Sequence, residues 1–440
     1  MTAKSRTAPD PPPAAGGLAA ALRRVPWWAV VTTAVVLLSA NFMTEPLRDA
    51  ANFQPVTEVS LAHSAAYLVL APLCDVFDTL SLMTVPQHLA IVVTLALLFV
   101  GWRVRRGWRR GGTSPVREAR AVVFAVFGLL LFYAVGIVVP RPMARLVVSP
   151  PLNQALIVVD FHSHTKYSHD GAPWFTPEAN RRWHRDAGFD AAYVTDHRTV
   201  QGAEQARRDN PRIAGEGTTI LQGLEVVWQG AHVNLLGAQQ TFSGLTDPNL
   251  RDIDDKALTL ASMIPHHEPV LIFTFPGMLR YLHPATAPGT PGVRAIEIVD
   301  GSPRGLTDTR RLRTTIATIA AADSLALVAG SDNHGWGYTA PAWTLMLLPG
   351  WRGMTPDSLA GAIDDAVRSR GFEATEVVER RVANTGRSTA RLAATVPLVA
   401  WRALTMLTDN ERVAWLIWIW GSVLVGTAWR RRRAARPPAA

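Results

Sequence analysis

Residues 155–171 read ALIVVDFHSHTKYSHDG, and the fold turns on them. An apolar run with the character of a buried strand ends at Asp160 and delivers His162, His164, His169 and Asp170 within eleven residues. Alternate residues of an extended segment point the same way, so His162 and His164 present their imidazoles to one face while Asp170 returns a carboxylate oxygen after a short excursion. A solvated, histidine-rich loop is the plain alternative. A divalent-metal site explains why so many ligand types crowd one strand end.

Outward from this stretch, short apolar runs recur at 155–160, 191–195, 218–222, 232–236, 270–275, 295–299 and 325–330. Longer segments such as 177–187 and 307–322 alternate with them, which predicts roughly seven β/α units in a barrel-like or wound α/β fold. Residues 356–370 carry Leu359, Ile363 and Val367 on one helical face and read as a closing amphipathic helix. Polar residues fall where the runs end. AAYVT leads to Asp196 and His197, LQG to Glu225, His232 opens HVNLLG, and LALVAGS leads to Asp332 and His334. Singly, each has a bland reading: Asp196 as a capping carboxylate, Glu225 as an arginine partner, His232 as a core histidine. Together they would meet on the rim where barrel strands converge. Ten of the twelve histidines lie between 162 and 334, and histidine with carboxylate and no thiolate suits zinc, manganese or iron. Shared carboxylates commonly bridge two such ions.

Composition separates this part from the rest. Of 440 residues, 48% are hydrophobic and 18% charged, which points to membrane segments beside a globular part. The single cysteine, Cys74, excludes an internal disulfide framework and a CxxC-type zinc site. Net charge is +9, yet residues 151–350 hold 16 Lys and Arg against 20 Asp and Glu. The excess arginine sits beside apolar segments, seven between 103 and 120 and five at Arg430, Arg431, Arg432, Arg433 and Arg436. That is a topology signature, and no nucleic-acid patch is evident.

Residues 1–24 read as a disordered, basic entry. The run Val25–Thr44 is uncharged, 20 residues long and lacks a small-x-small cleavage pattern, so it reads as a first span rather than a signal peptide. Val59–Cys74, 16 residues between Glu58 and Asp75, reads as an interfacial, re-entrant or bundle-packed helix. Leu89–Trp102 and Ala121–Pro140 supply a second and third span, so 25–150 is a membrane region of about three helices. Residues 376–411 read as a linker or interfacial helix, and 412–440 as a C-terminal span, Val413–Trp429, with an arginine-rich tail. Keeping every arginine cluster in the cytoplasm gives an integral protein of the plasma (inner) membrane with residues 141–411 outside.

The strings HSHTKYSHDG, VTDHRTVQGA, QGLEV, HVNLLG and GSDNH resemble the successive motifs of the PHP domain, named for polymerase and histidinol phosphatase. The resemblance covers about 155–375 and implies a distorted (β/α)7 TIM-like barrel, two or three divalent ions (Mn, Zn or Fe) and hydrolysis of phosphate esters. Carried over by motif, His162, His164, Asp170, His197, Glu225, His232, Asp332 and His334 are the metal ligands. His169 precedes Asp170 as an extra residue; Asp170 is the preferred ligand because it stands before Gly171. Asp196 or His169 is the candidate for proton transfer. Phe275 stands where the family usually has a histidine before proline, which leaves one ion weak or missing, or replaced through His266, His267 or His283. The function expected is a membrane-anchored metal-dependent phosphoesterase on phosphomonoesters or phosphodiesters. The alternatives are a silent metal-binding sensor or scaffold, and a metal-dependent hydrolase of a non-phosphate substrate.

Overall fold

Strand β4 (Leu156–Ser163) has seven of its eight residues buried, so it reads as a continuous apolar run and not as an alternating one. In a computed structural model, described for residues 25–434 apart from 113, 198, 229–230, 238–269, 275, 283–291, 304, 308 and 382–387, it sits inside a curled ten-stranded sheet. The other strands of that sheet are β1 (Leu47–Asp49), β5 (Ala191–Val194), β6 (Thr219–Trp228), β7 (Ala231–Leu236), β8 (Val270–Phe273), β9 (Ala295–Asp300), β10 (Ala326–Gly330), β11 (Ala342–Leu347) and β12 (Thr375–Arg380). Their order is β1-β12-β11-β4-β5-β6-β7-β8-β9-β10. Two further strands, β2 (Val59–Ala62) and β3 (Arg145–Val148), pair with each other.

The seven expected runs fall on β4 to β10, but the sheet is not a regular (β/α)7 repeat. β4–β5–β6 and β8–β9–β10 are parallel, whereas β6–β7–β8 and the pairings of β11 with β4 and β12 are antiparallel. The physical reason lies between Trp228 and Ala231, where β6 turns straight into β7. A parallel crossover needs a dozen or more residues. The sheet curls until the segment after β10 returns to β4: Asp332 N donates to His162 O at 2.9 Å and His164 N to Asn333 O at 3.1 Å.

Period two sorts β4 by face. Ile157, Val159 and Phe161 join an apolar cluster with Leu359, Ile363 and Val367 of the helix Pro356–Arg370. On the other side Val158 joins a second apolar cluster with Trp183, Phe189 and Trp343, and Asp160 Oδ2 meets His184 Nε2 at 2.8 Å. The helix forms as the spacing predicts; Thr355 caps it by accepting from Ser358 N, and Pro356 opens it. Each of its three core side chains contributes about 1.5–3 kcal/mol on burial, and Ile363→Asp would break the contact. Gly188, at φ 95, ends the helix Pro177–Ala187 where a Cβ would lie 2.4 Å from Leu146 O.

This same compact unit, Met43–Met406, holds the helices Val85–Arg109 and Pro115–Val138. Thr84 and Gln87 form a capping box at the start of the first. Both are long and apolar enough to cross a membrane, and Leu97, Leu98, Phe124 and Phe127 are exposed along them. Arg103 joins Glu118 by two hydrogen bonds of 2.7 Å near the arginine-rich turn. The stretch Val59–Cys74 forms no continuous helix. It divides into β2, the short helix Ala65–Val69 capped by Ser64, and the start of the helix Ala71–Ser81, because Ser64 and Pro72 each begin a new helix. Beyond β12, Thr389–Ala393 and Thr395–Met406 are helices packed against Val85–Arg109.

The second unit, Met1–Phe42 with Leu407–Ala440, pairs the helix Trp27–Ser39 with Asp409–Ala434. Arg412 donates to Ser39 Oγ at 2.6 Å and Val36 O at 3.1 Å. Asp409–Arg432 is long and apolar enough to span. The helix expected at Val25–Thr44 runs only from Trp27 to Ser39, 13 residues, with a 3-10 turn to Phe42, short of the roughly 20 that a bilayer needs. Three described helices therefore meet the length for a span, not four. The entry at 1–24, Arg436, Phe275, His266, His267 and His283 lie outside the described residues.

Candidate metal centre

Four donor atoms converge where β4 ends. His162 Nε2 lies 3.0 Å from His164 Nε2 and 3.0 Å from Glu225 Oε2, and 3.4 Å from Asp332 Oδ1. His164 Nε2 is 3.2 Å from both carboxylates. The two histidines come from the end of β4, Glu225 from β6, and Asp332 from the segment after β10, so parallel neighbours and the curl bring them to one point. Asp332 holds φ 45, a left-handed value for a residue with a Cβ, which stores about 1–3 kcal/mol of strain at this position.

Glu225 extends the cluster. Its Oε2 is 3.4 Å from His197 Nδ1, and its Oε1 is 2.6 Å from His232 Nδ1. Asp170 closes the far side, with Oδ1 3.1 Å from His334 Nε2 and Oδ2 3.6 Å from His197 Nε2. The residues singled out by the motifs thus stand in this one constellation, Asp170 joined to it through His197 and His334.

The residues present fit divalent ions. A tetrahedral ion with bonds of about 2.1 Å has donor–donor edges of about 3.4 Å, the size of the spacings among His162, His164, Glu225 and Asp332. His334 Nε2 is buried and makes no hydrogen bond despite facing Asp170. Charges agree with the geometry. Burial disfavours ionisation of Glu225, yet His162 and His197 hold it well below the ordinary glutamate range. Burial likewise opposes the Asp170 carboxylate, and the neighbouring His197 and His334 outweigh it. For His162, burial disfavours the cation, but Glu297, Glu225 and Asp332 raise it well above the usual imidazole range. Such a site gathers positive charge, as a metal centre must.

The two proton-transfer candidates part company. Asp196 is fully buried and spends both oxygens on Thr165, accepting from its N at 2.6 Å and its Oγ1 at 2.7 Å. It braces the loop after β4; burial pushes its carboxyl up, against the pull of His164 and Thr165. His169 stands at the rim with its side chain 72% exposed, Nδ1 3.9 Å from Asp170 Oδ1.

Three residues that the motif reading passed over support the ligands. Glu297, fully buried on β9, meets His162 Nδ1 at 2.9 Å, and burial pushes its carboxyl up to about 8. Asp160 Oδ1 accepts from His162 N at 3.1 Å and Ser331 N at 3.0 Å, tying the two ligand-bearing segments together. Its Oδ2 lies 2.8 Å from His184 Nε2. A lone acid inside the buried run AIEIVD was the available signal for Glu297, since such a charge must have a partner.

No family model matches the chain, and no curated protein matches it. Solved structures do. A two-domain protein from Bacteroides vulgatus, described as containing a predicted PHP-like metal-dependent phosphoesterase, is 13% identical at a TM-score of 0.32, with 51% of this chain and 65% of that one covered. An amidohydrolase from Chromobacterium violaceum is 17% identical at 0.28, covering 46% and 96%. A lesion-specific endonuclease from Pyrococcus furiosus is 13% identical at 0.30, covering 43% and 52%. The chain spans under two thirds of the first of these and about half of the last. It is similar, over part of its length and at low identity, to solved structures that include a PHP-like metal-dependent phosphoesterase.

Proposed function

We propose that the chain is a membrane-anchored, metal-dependent phosphoesterase whose α/β part lies outside the cytoplasm. The observation that carries this reading is Glu225, a buried carboxylate with Oε2 turned to His162, His164 and His197 and Oε1 turned to His232. That is the disposition of a carboxylate shared between two ions.

His162, His164, Glu225 and Asp332 would hold one ion, and Glu225, His197 and His232 a second, with Asp170 and His334 beside them. Ions held there supply charge neutralisation on phosphoryl oxygens and acidify water near neutral pH. The chain's own part is to orient and to handle protons. Asp196, through Thr165, fixes the loop that returns Asp170; Glu297 holds the His162 ring. His169, exposed beside Asp170, is the group we assign to pass a proton between the site and solvent. The arginine-rich turn between the two long apolar helices supports the orientation, because such turns stay in the cytoplasm and send both opposite helix ends outward.

The test is hydrolysis of 4-nitrophenyl phosphate and bis(4-nitrophenyl) phosphate by the full chain in detergent, after chelation and return of manganese, zinc or iron. Metal-dependent turnover abolished in Asp332→Ala and His164→Ala is expected. A folded, metal-loaded chain without turnover on either ester would reject the reading.

A further inference from the structure

We infer that the substrate is an amphiphilic phosphate ester drawn from the bilayer, its phosphate at the metal centre and its hydrocarbon in a cavity that leads from that centre to the ends of two apolar helices. This rests on the hydrolase reading and names its substrate class.

A cavity of about 740 Å³ has Asp170, Asp332 and His334 in one wall. Pockets that enclose a whole small ligand measure about 300–1,000 Å³, so the space exceeds the need of a phosphate group alone. Leu80, Leu82, Met83, Val85 and Ile137 make up much of the rest of the wall, with Ser81, Ser302 and Thr339 among its polar members. A sugar phosphate or nucleotide held there would lose water from its hydroxyls and amides against aliphatic surface, at about 1–3 kcal/mol for each group left unpaired. A hydrocarbon gains about 25 cal/mol for each Å² it removes from water on the same surface. His88 and Tyr133 also line the cavity, and His88 Nδ1 meets Tyr133 Oη at 3.1 Å, so each already has a polar partner there.

The apolar wall is built from the helices that read as spans. Val85 opens the helix Val85–Arg109 and Ile137 lies in the last turn of Pro115–Val138, both at the ends opposite the arginine-rich turn. Val85 is 58% and Ile137 41% exposed, so residues that line the cavity also face outward where lipid would lie. A second observation agrees on the level of the membrane surface. Trp336 lines the cavity, is half exposed, and meets exposed Trp174 edge-on at 4.9 Å. Tryptophan collects at the boundary between hydrocarbon and water. Phosphate at the metal centre and tail along Val85 and Ile137 is then the pose of a lipid that has not wholly left its bilayer.

The experiment uses the full chain in phosphatidylcholine nanodiscs with manganese. Dioleoyl phosphatidic acid and dioleoyl phosphatidylglycerol are compared with glycerol 3-phosphate and glycerophosphoglycerol, the same head groups without tails. A preference of about a hundredfold or more in kcat/KM for at least one tailed ester is expected, and Val85→Trp should cut that preference about tenfold. A diazirine-bearing phosphatidic acid added to metal-free protein should label the segments 80–85 and 133–137 above a phosphatidylcholine analogue. Equal rates with and without tails would overturn the inference and leave the hydrolase standing, with a soluble phosphate ester as substrate. Absence of the labelling would overturn it independently of turnover. Labelling without turnover of any ester, the nitrophenyl pair included, would remove the hydrolase reading and with it the claim that the bound lipid is a substrate.

Discussion

Glu297 on β9 and His162 at the end of β4, 135 residues apart in sequence, are joined carboxylate to Nδ1 at 2.9 Å beneath the metal centre. A ligand histidine whose second nitrogen is held by a carboxylate is locked in ring orientation and tautomer, with Nε2 free to face the ion. Losing such a partner typically costs about 10–100-fold in metal affinity. Glu297→Leu should therefore weaken manganese or zinc binding by about that factor in a chelator competition, while Glu297→Gln, which keeps an acceptor oxygen, should recover most of it. Equal affinity in all three proteins would show that Glu297 does not position the ligand.

Asp160 should matter more to folding than to ion binding. It collects His162 N, Ser331 N and His184 Nε2 in a site without solvent, so removing the carboxylate strands three buried polar groups at once. Asp160→Ala should cost about 3–5 kcal/mol in denaturant unfolding of the full chain. A loss below about 1 kcal/mol would mean that water replaces the carboxylate.

The donor set was legible in the sequence because most of its members follow an apolar run and His232 opens one, and a strand that stops at a histidine or an aspartate advertises a polar destination. The seven runs located β4 to β10 for the same reason. β12 was not legible: TEVVER alternates like a surface strand, and it is buried only because β11 and β1 flank it. Nor was β1, three residues of LRD that pair with Arg380, Glu379 and Val378. His184 looks like a solvated residue of RRWHRD until the helix Pro177–Ala187 is packed against β4. The cavity wall draws on six separate stretches of chain, and no local pattern announces a space that exists only between them.

Asp78 is a second buried charge whose partners come from afar. It sits 2.8 Å from Arg380, 3.0 Å from Arg141 and 2.8 Å from Thr339 Oγ1, so one carboxylate bridges two guanidiniums. Burial resists its ionisation, and Arg380 and Arg141 overcome that resistance. Asp78→Ala would leave two largely buried cations facing each other. The expected loss is about 3–5 kcal/mol in unfolding of the full chain. The double replacement Asp78→Ala with Arg141→Met should recover part of it, and a double variant no more stable than the single one would rule out charge imbalance as the cause.

Asp190 gives the fold a pH dependence that can be isolated. Burial pushes its carboxyl up to about 6 from an ordinary 3.8, against the pull of the Val158 N–H it accepts at 3.0 Å and of Arg352 and Arg145. The folded chain thus holds this proton more tightly than the unfolded chain does, so the group is neutral in its effect below about pH 4 and opposes folding increasingly as pH rises through about 6. Asp190→Asn keeps an oxygen for Val158 N and removes the charge. The variant should match the parent near pH 4 and exceed it at about pH 7.5 by up to roughly 3 kcal/mol, two pKa units at 1.36 kcal/mol each. The readout is the difference between the two denaturation curves at each pH. A difference that stays flat, or that favours the parent as pH rises, would show that the Asp190 carboxylate is stabilised in place by Val158 and the two arginines and not penalised by its burial.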